Sequence, residues 1–469
     1  MVKLMMLGFD GCSPEQVYKH ADELPNLKRI MDAGGWGVNK SVVPPITPHA
    51  WTTIFSGKNP GTFGYWDFQY RSSYSYIEDQ RATSMTCKEP RMHNILPPEG
   101  IKMGLVSVPL SSPPLYVSNG FCISDFMTAT TKSNWIHPAS MAQRVTDTCG
   151  DWIFDASTVD ENFRKMEKGK LINRIKDMDV QRFKLFKEIH SEYDFLAMDC
   201  MGTDRMGHLF WSEFDPQHVR FRENSPFKDA YTDHLKFLDK NVGELFDKTG
   251  GPDKVNVVVL SDHNVQRLDG RININEWLIS KGYMVLKEGA EKPTIQTSLA
   301  KLPIDWAKTT AWGTGYQGQI YLNVKGREKF GIVDPKDADS TLDQIVKELY
   351  QVPDNKGNAI KGSKITMRKD VYSGKYAHLA PDAFLFIGNG NWAINERVGY
   401  DSLYSYDTLL GQDDGIHGDD CTFMVAGPNV PRLGEITKES SLLDVAPTFL
   451  DILGVPIPSD FEGKSLIQK

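Results

Sequence analysis

The chain alternates between short apolar runs and longer segments in which apolar residues recur every three or four positions. Lys3–Leu7, Lys102–Val108, Phe195–Met198, Val255–Leu260, Ala383–Ile387 and Thr422–Ala426 are short, apolar and bounded by turn or polar residues. That pattern predicts buried strands of a parallel sheet. Helical spacing follows in Asn26–Ala33, Ile172–Ile189, Ser340–Tyr350 and Leu442–Leu453. In Thr232–Asp247 it places Leu235, Leu238, Val242, Leu245 and Phe246 on one side. Strand and helix alternate over most of the chain, so the expected fold class is a layered α/β sheet flanked by helices.

The acidic and histidine residues of interest fall at or just beyond the ends of these strands. Open α/β sheets bind ligands at that edge. Seven residues form the candidate constellation: Asp10, Thr47, Asp204, His208, Asp262, His263 and His417. They supply three carboxylates, three imidazoles and one hydroxyl, enough for two adjacent divalent metals and an activated nucleophile.

Each residue has an ordinary structural explanation when taken singly. Thr47 stands at the N-cap or first turn of a helix that runs to Gly57, with Pro48 suited to the first helical position. A helix start stabilises anions through free N–H groups and the dipole, so a hydroxyl there can attack phosphorus. Asp204 and His208 are four apart and share a helical face, which suits one metal or a surface ion pair. Asp262 and His263 end the very apolar run Val257–Leu260, where a turning backbone lets both reach a metal or satisfy each other. His417 lies in a glycine-flanked turn, and Asp10 in the turn-like Gly8-Phe9-Asp10-Gly11.

Length and composition set the frame. A chain of 469 residues allows two or three domains, or one large α/β domain with insertions. Apolar residues at 40% and charged residues at 24% are those of a soluble globular protein. The net charge of −8, from 53 basic and 61 acidic residues, argues against a nucleic-acid polymer as partner. Cys12, Cys87, Cys122, Cys149, Cys200 and Cys421 form no CxxC pair and are expected to be buried, reduced thiols. The run Met1–Leu7 lacks a cleavage site and leads straight into Asp10, so it is expected to be the first core strand and not a secretion signal. No run reaches the ~20 apolar residues of a membrane span. A cytoplasmic location without membrane association is the expectation.

The seven residues split around a long intervening stretch. The expected division is therefore 1–265 with 401–469 as the catalytic part and 266–400 as an inserted smaller α/β region. The insertion has its own strand pattern in Gly318–Val324 and helix pattern in Ser340–Tyr350. Phe68–Pro90, rich in Ser and Tyr, is expected to be a surface excursion. Asn119–Asp160 lacks clear periodicity and is expected to cover the site.

Taken together, the motifs resemble the type I phosphodiesterase/nucleotide pyrophosphatase family of the alkaline phosphatase superfamily. The resemblance rests on the strand-end GFDG, the block PPITPHAWTTIFSGKNPGTFG, and DRMGH, SDH and GIHG. It extends through VPLSSPP at 108–114, NEWLISKGY at 275–283, IYLNVKGREKFGIVDP at 320–335 and LLDVAPTFLDILGVPIP at 442–458. It covers nearly the whole chain and implies an alkaline-phosphatase-like core. It also implies hydrolysis of phosphodiester or nucleotide pyrophosphate bonds through a phosphorylated Thr47. By the family pattern, Asp204, His208 and His417 bind one metal. Asp10, Asp262 and His263 bind the other, with Thr47 bridging toward it. The ligand types suit Zn²⁺, with Mn²⁺ or Fe²⁺ as alternatives. The partner implied is a small phosphorylated substrate, with nucleotides among the candidates.

Three positions depart from the family pattern. Asn264 replaces the glycine that often follows SDH, Phe63 stands where His is common, and Asp67 falls near the place of an Asn that holds a phosphoryl oxygen. A phosphomonoesterase or phosphomutase of the same superfamily is the alternative enzyme, with Arg205 or Lys58 as the extra cation a monoester needs. A sulfatase is disfavoured by Thr47 and the missing Cys-x-Pro-x-Arg. A non-catalytic binding protein on the same fold is the remaining reading.

Overall fold

A computed structural model describes residues 2–468, which form two compact units. Within these, the first comprises 2–59, 82–266 and 410–468, and the second 60–81 and 267–409. Residues 60–81 thus belong with the second unit, although the sequence grouping placed them with the rest of 1–265.

The first unit is built on a nine-stranded sheet. Its order is Gly434–Ile436, Gly35–Lys40, Asp420–Ala426, Asn256–Leu260, Leu4–Phe9, Phe195–Cys200, Met103–Val106, Gly120–Ile123 and Ile136–His137. The strands from Asn256–Leu260 through Gly120–Ile123 run parallel. Every residue of Leu4–Phe9, Phe195–Cys200 and Asn256–Leu260 is buried. Alternate side chains feed two cores, because successive residues of a strand point to opposite faces. Met5, Leu7 and Phe9 join one core, and Leu4 and Met6 the other. Helices Lys168–Ile189 and Ala230–Thr249 cover the first face; Thr47–Ser56 and Val445–Leu453 cover the second. Burying a Leu, Val or Met side chain in this way contributes about 1.5–3 kcal/mol. The doubly covered sheet therefore explains why its strands read as unbroken apolar runs.

One strand direction differs from expectation. Asp420–Ala426 is antiparallel to both Asn256–Leu260 and Gly35–Lys40. It enters the sheet at the edge where the parallel strands leave it, with Asp420 opposite Lys40. This reversal brings residues just before 420 and just after 40 to the same edge as residues 10, 204 and 262. The stretch 119–160, read as lacking periodicity, contributes the last two strands at one end of the sheet and the helix Ala142–Cys149.

The second unit holds a four-stranded antiparallel sheet ordered Ala311–Thr314, Gln319–Leu322, Ala383–Phe386 and Lys364–Met367. Ala383–Phe386 is thus not a parallel strand of the main sheet. Helix Ile274–Ser280 and helix Ala338–Leu349 pack on the core of this unit. Within it, Arg71 is buried against the Tyr321 ring at 4.0 Å and pairs with Glu328 at 3.0 Å. The polar stretch after Phe68 is therefore anchored and not merely a surface excursion. Among the described residues no helix is long and apolar enough to cross a membrane.

Candidate metal centre

All seven sequence-predicted residues lie in the first unit, and all seven are buried. Asp10 follows strand Leu4–Phe9, and its N–H donates to the Cys200 carbonyl at 3.1 Å. Asp262 and His263 follow strand Asn256–Leu260. Asp204 and His208 face the same way one turn apart in helix Gly202–Phe214, which starts after strand Phe195–Cys200. His417 lies in the short strand Gly415–Gly418, paired with Asn264–Arg267. Close backbone packing at this edge demands glycine. A Cβ on Gly11 (φ +65°) would lie 2.9 Å from the Cα of Asp204, and one on Gly207 would lie 2.5 Å from the Val265 Cβ.

The candidate ligand atoms form two triads, Asp204–His208–His417 and Asp10–Asp262–His263, each with its atoms within 4.8 Å of one another. The triads adjoin: the His263 and His417 rings stack with centroids 3.7 Å apart. In the first triad, Asp204 Oδ1 lies 3.4 Å from His208 Nε2 and 3.3 Å from His417 Nε2. In the second, His263 Nε2 lies 3.2 Å from Asp262 Oδ2 and 3.6 Å from Asp10 Oδ1. Thr47 Oγ1 is 3.2 Å from the same His263 nitrogen.

The surroundings suit divalent cations. His208 Nδ1 meets Asp413 Oδ1 at 2.7 Å, His417 Nδ1 meets the Pro45 carbonyl at 3.1 Å, and His263 Nδ1 meets the Asn264 carbonyl at 3.1 Å. A ring whose Nδ1–H donates to an oxygen presents an Nε2 lone pair, and all three Nε2 atoms point into the triads. Asp10 Oδ1 and Asp262 Oδ2 are buried without a hydrogen-bond partner. Buried carboxylate oxygens are seldom left so, and a bound cation would satisfy them.

The charges differ between the triads. Burial, reinforced by the Asp262 carboxylate, pushes Asp10 well above the usual carboxylate range. Burial pushes Asp262 up to about 8. Burial also opposes charge on Asp204, but His208 and Arg205 overcome it and hold that carboxyl well below its ordinary value. His208 is raised to about 8 because Asp413 and Asp204 outweigh its burial. Burial and the His263 ring push His417 down to about 3.

Thr47 is the first residue of helix Thr47–Ser56, one position further in than an N-cap, with Pro48 second and Gly57 closing the helix at φ +66°. The backbone N–H groups of Thr47 and His49 fall in the first turn, where helix geometry provides no acceptor. An anion beside Thr47 would meet these donors.

A model of the type I phosphodiesterase / nucleotide pyrophosphatase family matches residues 4–420. The chain belongs to this family. It is accordingly a phosphoric diester hydrolase, and divalent metal ions go with the family. Among solved structures, the chain is similar to murine ectonucleotide pyrophosphatase/phosphodiesterase 5, described as an inactive threonine-to-alanine form in complex with AMP. The TM-score is 0.53 at 12% identity, over 98% of this chain and 96% of that one, a likeness of fold. No curated protein matches the chain.

Within this family member, several supporting residues escaped the sequence reading. Trp51, one turn after Thr47, donates its Nε1–H to Asp10 Oδ2 at 2.9 Å. Asp413 orients His208, Thr203 Oγ1 donates to the Asp10 carbonyl at 2.6 Å, and Ser41 Oγ donates to the Asp262 carbonyl at 2.6 Å. Asp413 alone had a visible signal: a carboxylate in the turn that carries His417. The departures from the family pattern are accommodated differently. Asn264 is buried with its Oδ1 unpartnered, next to Gly418, where a Cβ would come within 2.3 Å of it. Asp67 and Phe63 belong to the second unit, where Asp67 accepts from Gln319 Nε2 at 3.2 Å and burial lifts it to about 7.

Proposed function

We propose that the protein cleaves phosphodiester or nucleotide pyrophosphate bonds by double displacement, with Thr47 as nucleophile and a phosphorylated Thr47 as intermediate. The observation that carries this reading is the hydroxyl of Thr47, 3.2 Å from His263 Nε2, at a helix start beside two buried carboxylate oxygens that lack partners. Asp204, His208 and His417 would hold one divalent cation, and Asp10, Asp262 and His263 the other. Zn²⁺ is the favoured metal, because mixed imidazole and carboxylate ligands suit it. When bound, the pair would supply Lewis acidity toward the phosphoryl oxygens and lower the pKa of the attacking groups.

The chain's own groups do the rest. The helix fixes Thr47 at the mouth of the second triad, and the first-turn N–H groups stabilise negative charge growing on phosphoryl oxygens. The histidines are held in one tautomer by their Nδ1 partners, so they need no reorganisation as charge develops.

The alternative of a monoesterase or mutase needs a free cation for the extra negative charge. Arg205 is instead engaged by Asp204 and Asp155, and Lys58 by Glu89 at 2.7 Å and Asp460 at 2.6 Å. This favours the diester reading. The AMP held by the murine neighbour makes nucleotide esters the first substrates to screen.

The test is Thr47→Ala with Zn²⁺ or Mn²⁺ supplied. Turnover of a nitrophenyl phosphodiester should fall by a factor on the order of 10³ or more. Acid quenching should trap phosphorylated Thr47 in the unaltered enzyme only. Full turnover by the variant would remove Thr47 from the mechanism.

A further inference from the structure

Helix Thr47–Ser56 meets the second triad at two points. Thr47 and Trp51 stand four residues apart and so share a helical face. Thr47 Oγ1 lies 3.2 Å from His263 Nε2, and the Trp51 indole donates to Asp10 Oδ2 at 2.9 Å. One helical turn thus holds both the hydroxyl and a carboxylate of the same triad.

The indole has little freedom. Trp51 is buried, and its ring lies over Gly8 of strand Leu4–Phe9. A Cβ on Gly8 would come within 2.5 Å of Trp51 Cη2 and 2.9 Å of the Met198 carbonyl oxygen. The Phe55 ring packs beside the indole, with centroids 6.3 Å apart. A glycine two positions before Asp10 therefore admits the ring, and the ring reaches forward to the carboxylate.

This hydrogen bond divides the two oxygens of Asp10. Oδ2 accepts from the indole, whereas Oδ1 has no hydrogen-bond partner and lies 3.6 Å from His263 Nε2. Asp262 is divided in the same way. Its Oδ1 accepts from the Gly11 N–H at 3.3 Å, whereas Oδ2 has no hydrogen-bond partner and lies 3.2 Å from His263 Nε2. The triad thus presents one oxygen from each carboxylate and one imidazole nitrogen, with Thr47 Oγ1 beside them. Four donors suit a tetrahedral cation such as Zn²⁺. Mn²⁺ favours a larger set of oxygen ligands and gains from a carboxylate that offers both.

We infer that Trp51 is a positioning residue: by occupying Asp10 Oδ2 it limits Asp10 to one ligating oxygen and biases the second site toward Zn²⁺ over Mn²⁺. The inference rests on the metal assignment above and adds what selects the metal.

The test compares the full chain with Trp51→Phe, which keeps an aromatic ring and removes the N–H. Affinities for Zn²⁺ and for Mn²⁺ are measured by chelator competition, and metal content by elemental analysis. In one of the two binding steps the Zn²⁺-to-Mn²⁺ affinity ratio should fall by ~10-fold or more, while the other step keeps its ratio. Phe449→Leu, a packing loss in the same core, should leave both ratios as in the parent. Where Trp51→Phe does not fold, 3-benzothienylalanine at position 51 keeps the bicyclic shape with sulfur in place of the N–H, and should give the same fall. Two bound equivalents with unmoved ratios after loss of the N–H overturn the role of Trp51 and leave the metal assignment standing. An equal fall in Phe449→Leu overturns it as well, by making the effect one of packing. A parent that takes up fewer than two equivalents of Zn²⁺ overturns both.

Discussion

The two triads use the same kinds of ligand in inverse proportion. One has a carboxylate and two imidazoles, the other two carboxylates and one imidazole. The Asp204 triad carries its own counter-charges: Arg205 on the carboxylate and Asp413 behind His208. The Asp10 triad has Trp51 on one oxygen of Asp10 and the Gly11 N–H on one oxygen of Asp262 at 3.3 Å, both neutral donors. Its two remaining oxygens have no hydrogen-bond partner and face His263 Nε2. The chain itself therefore balances one triad, and the balance of the other must come from outside. The second triad should gain more from a cation, and should suffer more when a ligand is lost.

The largest effect that would break this contrast is on the second triad. Asp262→Asn should lower kcat/KM by ~10³-fold or more, beyond the 10–100-fold typical of an outer-sphere partner. Elemental analysis should show one metal equivalent lost. Since the substitution removes a buried carboxylate pushed upward by burial, the chelated variant should melt no lower than the chelated parent. A metal content of two would refute the assignment of Asp262.

A smaller change should bring the triads closer together. Arg205→Met removes the cation from Asp204 and leaves a buried carboxylate uncompensated. Metal affinity at the first triad should rise by ~10-fold, measured by competition with a coloured chelator, because a carboxylate freed of its guanidinium gains more from a cation. An affinity unchanged within error would mean that Arg205 does not balance the charge of Asp204.

The smallest effect concerns pH. Asp262, with an ordinary value of 3.8 raised to about 8, favours the folded chelated protein while protonated; that contribution is full below 3.8 and lost as pH rises through 8. His208, raised from 6.5 to about 8, contributes fully below 6.5 and is likewise lost as pH rises through 8. Asp204, held low, matters only in acid, where its contribution disappears as pH falls below its ordinary 3.8. Bound cations keep the carboxylates ionised and compete with protons. The difference in Tm between Zn²⁺-loaded and chelated protein should thus widen from about pH 5 to about pH 8. A flat or narrowing difference would show that these carboxylates are not the metal's ligands.

Much of the site was legible because of where its residues stand. Asp10, Asp204, Asp262 and His263 each follow a strand buried on both faces, and such strands announce themselves as apolar runs. Strand direction was not legible. Thr422–Ala426 and Ala383–Ile387 carry the same apolar signature as their parallel counterparts, yet one runs antiparallel in the main sheet and the other lies in the second unit's antiparallel sheet. Direction and sheet membership are set by connections and tertiary packing, which local pattern does not encode. The supporting partners were hidden for a similar reason. Trp51 reads as an ordinary core aromatic until its indole is seen to meet Asp10, a residue of another element.

The return of the Asp420–Ala426 strand has a consequence for assembly. Each triad joins segments that are far apart along the chain: residue 10 with 262 and 263, and 204 with 417. A cation held there would act as a reversible cross-link closing two long loops, and loop-closure entropy rises only slowly with length. Residue 417 is made long after 204 and 208, so a nascent chain could not complete the first triad while only its earlier part had been made. Metal uptake would then serve as a checkpoint on long-range closure of the fold as well as a preparation for chemistry.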